Sequence, residues 1–210
     1  MVRLSRNSIL SAAACALAVV ALATLVACQG STGASSATST TAGGLPPIVV
    51  PTLPAQIPAY GAVDPATGLH MTGRPVVIDL ATYRLKVDGA VAHPLSLSYD
   101  DLRRLPKVTA TPTLVCSGAF TDVTTWSGAP LHLILEMAAV NPGANEIMLK
   151  GADGYTAYLS ATDALAPQNF LAYQWKDQPL PVLDGFPLRA VFPDEPGSRW
   201  VKWLLEIVVL

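Results

Sequence analysis

The sequence predicts an α+β fold, strand-rich with a few short helices, for the part of the chain after about residue 59. Three observations carry that reading. Tyr83-Arg-Leu-Lys-Val-Asp-Gly89 alternates apolar and polar residues with period two, as a half-buried strand does. Strand-like runs outnumber helical ones from Pro75 to the C-terminus. Pro- and Gly-rich turns keep the elements between them short.

Taken in order, Pro75–Leu80 is a short apolar run that fits a strand, and Tyr83–Gly89 is a strand closed by an Asp-Gly turn. Ser98-Tyr-Asp-Asp101 supplies an N-cap and first-turn acids for a helix through Arg104, and Pro106 stops it. Val108–Val115 is a Thr/Val strand that delivers Cys116, and a polar loop follows it. Pro130 opens a helix to about Val140 with Leu131, Leu135 and Ala138 on one face, ended by Asn141-Pro-Gly143. Glu146–Lys150, Tyr155–Leu159, Phe170–Tyr173, Leu188–Phe192 and Leu204–Val209 are the remaining strands, with a helical turn at Ala161–Leu165.

The first 58 residues are of another kind. Arg3 and Arg6 precede an apolar run from Ile9 to Val26, the layout of a secretory signal. Leu25-Val26-Ala27-Cys28 resembles a bacterial lipobox, which makes residues 1–28 a lipoprotein signal with Cys28 lipidated. An uncleaved membrane anchor is the alternative. Ser5-Arg6-Asn7-Ser8-Ile9-Leu10 resembles a twin-arginine export motif with Asn7 in place of the second arginine. Residues 29–58 are Ser, Thr, Ala, Gly and Pro-rich without a charged residue, the composition of a disordered tether reaching roughly 100 Å when extended. Residues 59–210 form one domain. The expected location is extracytoplasmic, anchored to a bacterial membrane by lipid.

A formal net charge of −2 gives no case for nucleic acid or for a basic membrane-binding surface. Of the three cysteines, Cys15 lies in the signal and Cys28 is the expected acylation site, so Cys116 has no intrachain disulfide partner. On the residues alone it is either a small buried hydrophobe or a soft metal ligand. No Lys or Arg occurs between Lys107 and Lys150. A cysteine hydrolase pairing Cys116 with His132 is a further, weaker possibility.

The landmarks Leu114-Val-Cys116, Trp126-Ser-Gly128-Ala-Pro-Leu131, Asp153-Gly-Tyr155, Leu171-Ala-Tyr173, Pro179-Leu180, Gly185-Phe-Pro-Leu-Arg189, Pro193 and Val201-Lys202-Trp203 stand in this order from about Tyr83 onward. Together they resemble the molybdopterin-binding domain of the sulfite oxidase family, in its small single-domain bacterial form. The resemblance implies a molybdenum-molybdopterin cofactor with Cys116 as the thiolate ligand of the metal. It implies that Arg189, Gly197, Ser198, Arg199 and Lys202 hold the pterin phosphate, the arginines as planar forks and Lys202 as a point charge. Asp153 and Tyr155 fall at the substrate mouth, and Tyr158 competes with Tyr155 to face the metal. Arg189 and Lys202 could otherwise be ordinary solvated partners of Asp184, Asp194 or Glu195.

Two departures shape the functional expectation. Relatives of the sulfite-oxidising kind carry arginines shortly after the ligand cysteine, whereas Ser117–Gly128 carries only Asp122. A small uncharged substrate such as a sulfoxide therefore fits better than sulfite. Asp184 replaces a His or Asn that faces the pterin, a repulsive choice unless a cation neutralises it. The expected protein is a monomeric oxidoreductase with no haem in this chain and a separate electron-transfer partner. The alternative is a cofactor-free lipoprotein that uses the same fold as a binding module.

Overall fold

The computed structural model describes residues 44–210. Residues 1–43, with Cys28 and the signal among them, lie outside the described residues. Among the described residues no helix is long and apolar enough to cross a membrane. Residues 44–58 have no regular secondary structure. They nonetheless lie against the domain: Ile48 packs on the core, and Arg103 Nη2 donates to the carbonyl of Pro46 at 2.6 Å.

In chain order the strands are β1 (Leu85–Gly89), β2 (Leu95–Leu97), β3 (Val108–Ala110), β4 (Thr113–Cys116), β5 (Phe120–Val123), β6 (Trp126–Pro130), β7 (Glu146–Gly151), β8 (Thr156–Ser160), β9 (Phe170–Trp175), β10 (Gln178–Pro179), β11 (Arg189–Val191) and β12 (Leu204–Val209). The helices are α1 (Tyr99–Arg104), α2 (Leu131–Ala138) and α3 (Ala161–Ala164). One sheet runs β2-β1-β12-β7-β8, with β1 and β12 parallel and the other pairs antiparallel. A second runs β10-β9-β6-β3, with β11 added on β9, and β4 pairs only with β5 in a hairpin of its own.

The α+β expectation holds, and most elements form where the residues direct. α1 starts at Ser98, whose side chain accepts from Asp101 N–H while the Asp101 carboxylate accepts from Ser98 N–H. Asp100 and Asp101 in its first turn and Arg103 and Arg104 in its last complement the helix dipole. α2 buries Leu131, Ile134, Leu135 and Ala138, and ends two residues before Asn141 at Ala139, which adopts a left-handed conformation.

Three expectations are corrected. Pro75–Leu80 is not a strand: no sheet edge meets it, and Val77 stands 68% exposed. β-propensity describes how a side chain fits a pleated surface, not whether a partner is present. The strand at Val108–Val115 is broken at Thr111 and Pro112 into β3 and β4, because proline cannot donate to a ladder. The polar loop after Cys116 is shorter than expected: Ala119 N–H donates to Cys116 C=O at 3.0 Å across a turn with Gly118 at φ 76°, and the chain returns as β5.

The core between the layers is led by Trp203, Phe170, Phe186 and Phe192, all fully buried. Gly128 shows how tightly β6 packs. A Cβ there would stand 1.9 Å from the backbone oxygen of Leu171 on β9, at the point where the β6–β9 register shifts.

Candidate functional site

The site is a cleft of about 230 Å³ where the β4–β5 hairpin, the segment from Tyr60 to Gly73, the 153–155 turn and the C-terminal loops converge. Cys116, Asp153, Tyr155, Arg189, Gly197, Ser198 and Lys202 all line it. Cys116, the Asp153–Tyr155 turn and the Arg189–Lys202 region lie too far apart in sequence for local structure to join them, so the fold itself assembles the site.

Arg189 enters from β11 and is 2% exposed. Its guanidinium lies over the Trp126 ring, 4.4 Å from the centroid, with Trp200 at 5.9 Å. Nη1 donates to Asp184 C=O at 3.2 Å, while Nε is buried without a partner among the described residues. Lys202 is 8% exposed; its Nζ donates to Leu183 C=O at 2.9 Å and Thr72 C=O at 3.3 Å. The Asp184 carboxylate is 3.9 Å away, also buried, with Oδ2 unbonded. These are not solvated surface charges. Asp184 is countered mainly by Lys202, not by Arg199.

Burial sets the electrostatics. Loss of solvent pushes Lys202 down to about 8, and the neighbouring positive Arg189 pushes the same way, against the pull of Asp184. Burial lowers Arg189 to about 10, opposed by Asp184 and Asp122. Burial raises Asp184, and the two cations oppose the rise. Two cations and one carboxylate leave this end of the cleft short of negative charge. Trp203, next to Lys202, holds φ at 51°, a left-handed backbone for a fully buried aromatic. Its Nε1–H donates to Val182 C=O at 2.7 Å, one of the contacts that hold this unusual conformation.

The same cleft carries the thiol. Cys116 is a half-buried free cysteine at the end of β4. The turn Gly197–Arg199 packs directly on this strand: a Cβ on Gly197 would come within 2.8 Å of Leu114 Cδ2 and 3.2 Å of Val115 O. Tyr155 Oη–H donates to Ser198 C=O at 2.7 Å, and Asp153 Oδ1 accepts from Tyr155 N–H. The thiol strand, the Gly-Ser turn and the tyrosine thus form one connected wall.

Two predicted residues are not brought in. Tyr158 stands on β8, 46% exposed, and does not line the cleft. Arg199 turns to Glu195, with Nη1 2.7 Å from the carboxylate, and does not line it either. His132 is also absent from the lining, which removes the geometric basis for a Cys116–His132 pair.

Sequence reasoning passed over His70. Its Nδ1 is 2.6 Å from Asp122 Oδ1, its backbone N–H donates to Asp122 Oδ2 at 2.9 Å, and its ring stacks on Phe120 at 4.2 Å. His70, Phe120 and Asp122 all line the cleft. The one signal available was that Asp122 is the sole charge after the thiol.

Among the described residues no three His, Cys, Asp or Glu side chains gather as a protein-only metal site. A lone soft thiol facing a wall of buried cations suits a metal carried on an anionic organic cofactor. The unpartnered buried Arg189 Nε, with buried Lys202 lining the same cleft, fits that reading.

Comparison with known proteins agrees. The family model for the oxidoreductase molybdopterin binding domain matches residues 71–210, and the chain belongs to that family of oxidoreductases. The uncharacterized oxidoreductase YuiH of Bacillus subtilis is 33% identical over 140 residues, 66% of this chain and 71% of that protein. YedZ1 of Azospira oryzae, assigned as a protein-methionine-sulfoxide reductase subunit, is 29% identical over 132 residues, 63% of this chain and 50% of that protein. In fold, the chain resembles the sulfane dehydrogenase SoxCD of Paracoccus pantotrophus, with a TM-score of 0.62 at 21% identity over 82% of this chain and 55% of that one. The chain thus spans only about half of the latter two. The family resemblance and the sulfite-oxidase-type fold expected from the sequence are both borne out.

Proposed function

We propose that this protein is a membrane-tethered, extracytoplasmic molybdenum-cofactor oxidoreductase that reduces a small uncharged substrate of the sulfoxide class. The observation that carries the reading is one cleft lined both by a free thiol and by the buried cations Arg189 and Lys202. When bound, the molybdenum cofactor supplies two-electron oxygen-atom transfer. The net conversion takes a sulfoxide, two electrons and two protons to a sulfide and water, the electrons coming from a reduced electron-transfer protein.

The chain's own residues bind, orient and shield. Cys116 is the protein's thiolate ligand to the metal. Arg189 and Lys202, with Gly197 and Ser198 on the turn, hold the phosphate of the pterin; two desolvated cations act on it more strongly than solvated ones would. Arg199 supports that turn through Glu195. Tyr155, fixed on Ser198, is the tyrosine at the substrate mouth, beside Asp153. Cys28 carries the lipid that, with the tether, keeps the domain at the membrane. Among the described residues no Lys or Arg beyond Arg189 and Lys202 lines the cleft, which disfavours a sulfite dianion as substrate. The assigned activity of YedZ1 is in keeping with a sulfoxide.

Elemental analysis of protein from its native host tests the reading: near one molybdenum per chain, lost in Cys116→Ala while the unfolding midpoint is kept. Stoichiometric molybdenum in Cys116→Ala would overturn it. Absence of metal from the wild type would favour the cofactor-free binding module.

A further inference from the structure

We propose that His70 orients the substrate at the thiol end of the cleft, and that its pairing with Asp122 selects an uncharged polar oxygen over an oxyanion. This deepens the sulfoxide reading and rests on it.

The geometry is over-determined for a surface histidine. Both oxygens of Asp122 are used, one by the His70 backbone N–H at 2.9 Å and one by Nδ1 at 2.6 Å. Phe120 covers the ring face, with centroids 4.2 Å apart and planes 8° from parallel. Position, tautomer and ring plane are therefore fixed together, as a group aimed at a partner requires. Among the described residues the ring makes hydrogen bonds only through Nδ1, which leaves Nε2 free in a side chain that lines the cleft and is 23% exposed.

The same hairpin links this pair to the thiol. Phe120 is the direct cross-strand partner of Cys116, and Asp122 lies two residues further along β5. His70 thus reaches the cleft beside the strand that carries Cys116. Charge then sets the selectivity. With the imidazole protonated the pair is neutral overall, and with it neutral the pair carries one negative charge. Neither form offers the net positive charge that would hold an oxyanion; the doubly protonated ring keeps an Nε2–H to donate to a sulfoxide oxygen, whereas the neutral ring that donates Nδ1–H to Asp122 presents only a lone pair there.

The experiment uses the full-length holoprotein with N-acetylmethionine sulfoxide as the probe and sulfate as the anion control. His70→Ala is expected to raise KM about tenfold, the loss of one hydrogen bond, with kcat, molybdenum content and unfolding midpoint near wild type. His70→Gln, whose amide can both donate and accept, should recover most of that KM. An unchanged KM in His70→Ala, or a loss of molybdenum that makes His70 a structural latch on the hairpin, overturns the proposal. A second readout needs no turnover: the imidazole ¹⁵N resonance of Nε2 should shift on adding the sulfoxide and not on adding sulfate. A wild type without molybdenum or sulfoxide reductase activity would defeat the functional reading alone. The resonance still decides the role of His70, and no shift, or a shift with sulfate only, overturns it.

Discussion

Lys202 offers the sharpest test of the proposed phosphate-binding role of the buried cations. Burial holds it at about 8 instead of its ordinary 10.5, a difference of about 2.5 units. Between those values the free folded protein leaves Lys202 neutral, whereas the unfolded chain keeps it charged. The unfolded state then binds more protons, so this residue makes stability rise with pH from about 8 upward, by up to about 3 kcal/mol across the whole interval. A bound phosphate reverses the preference by supplying the opposite charge. Binding above pH 8 must therefore restore a proton to Lys202, and affinity falls by up to tenfold per unit. From pH 8, where Lys202 is half charged, to pH 9.5 the fall is roughly fifteenfold, and Arg189, at about 10, starts to add its own loss at the upper end. Calorimetric titration of the apoprotein with inorganic pyrophosphate at pH 7, 8, 9 and 9.5 measures it, with Lys202→Met as the comparison. Equal wild-type affinity at pH 7 and 9.5, or the same slope in Lys202→Met, would refute the argument.

Other expectations are simpler to state. Gly128→Ala forces a Cβ to within 1.9 Å of Leu171 O and 2.5 Å of Ala172 Cα, neither of them a flexible side-chain end, so it should cost more than about 3 kcal/mol in urea unfolding or abolish soluble yield. Ser98→Ala removes the α1 cap and should lower stability by about 1 kcal/mol while leaving molybdenum content untouched. Tyr155→Phe removes the bond to Ser198 and should alter sulfoxide KM or kcat severalfold, whereas Tyr158→Phe, outside the cleft, should change neither. Cys28→Ala should move the protein from the membrane fraction to the soluble fraction after cell fractionation.

Local patterns made much of the fold legible. The Ser98–Asp101 capping box, the alternation ending at Gly89 and the apolar face of α2 each depend on neighbours within a few residues, and each forms as the sequence directs. Pro75–Leu80 has the composition of a strand but meets no sheet edge, and pairing is decided by chain far away in sequence. The site divides in the same way. Arg189 and Lys202 could be recognised as residues, but composition made them look like solvated charges; only the fold shows them buried, Arg189 against Trp126 and Trp200 and Lys202 against Trp203. His70 was illegible because its meaning comes from Asp122, 52 positions away.

The buried carboxylate of Asp184 ceases to be an anomaly once the cleft is read as two ends of different charge. Without Asp184, Arg189 and Lys202 would be two desolvated cations that had lost their main protein anion, and both would sit further below their ordinary values. With it, the free protein holds Lys202 close enough to charged to meet an anion near neutral pH. The carboxylate is thus a partial counter-ion, leaving an excess positive charge for a phosphate. Beside the thiol strand Asp122 pairs with His70, and its charge also acts on Arg189 and Lys202. Under the proposed function, one cleft then takes the anionic cofactor on Arg189 and Lys202 and an uncharged substrate beside the His70–Asp122 pair.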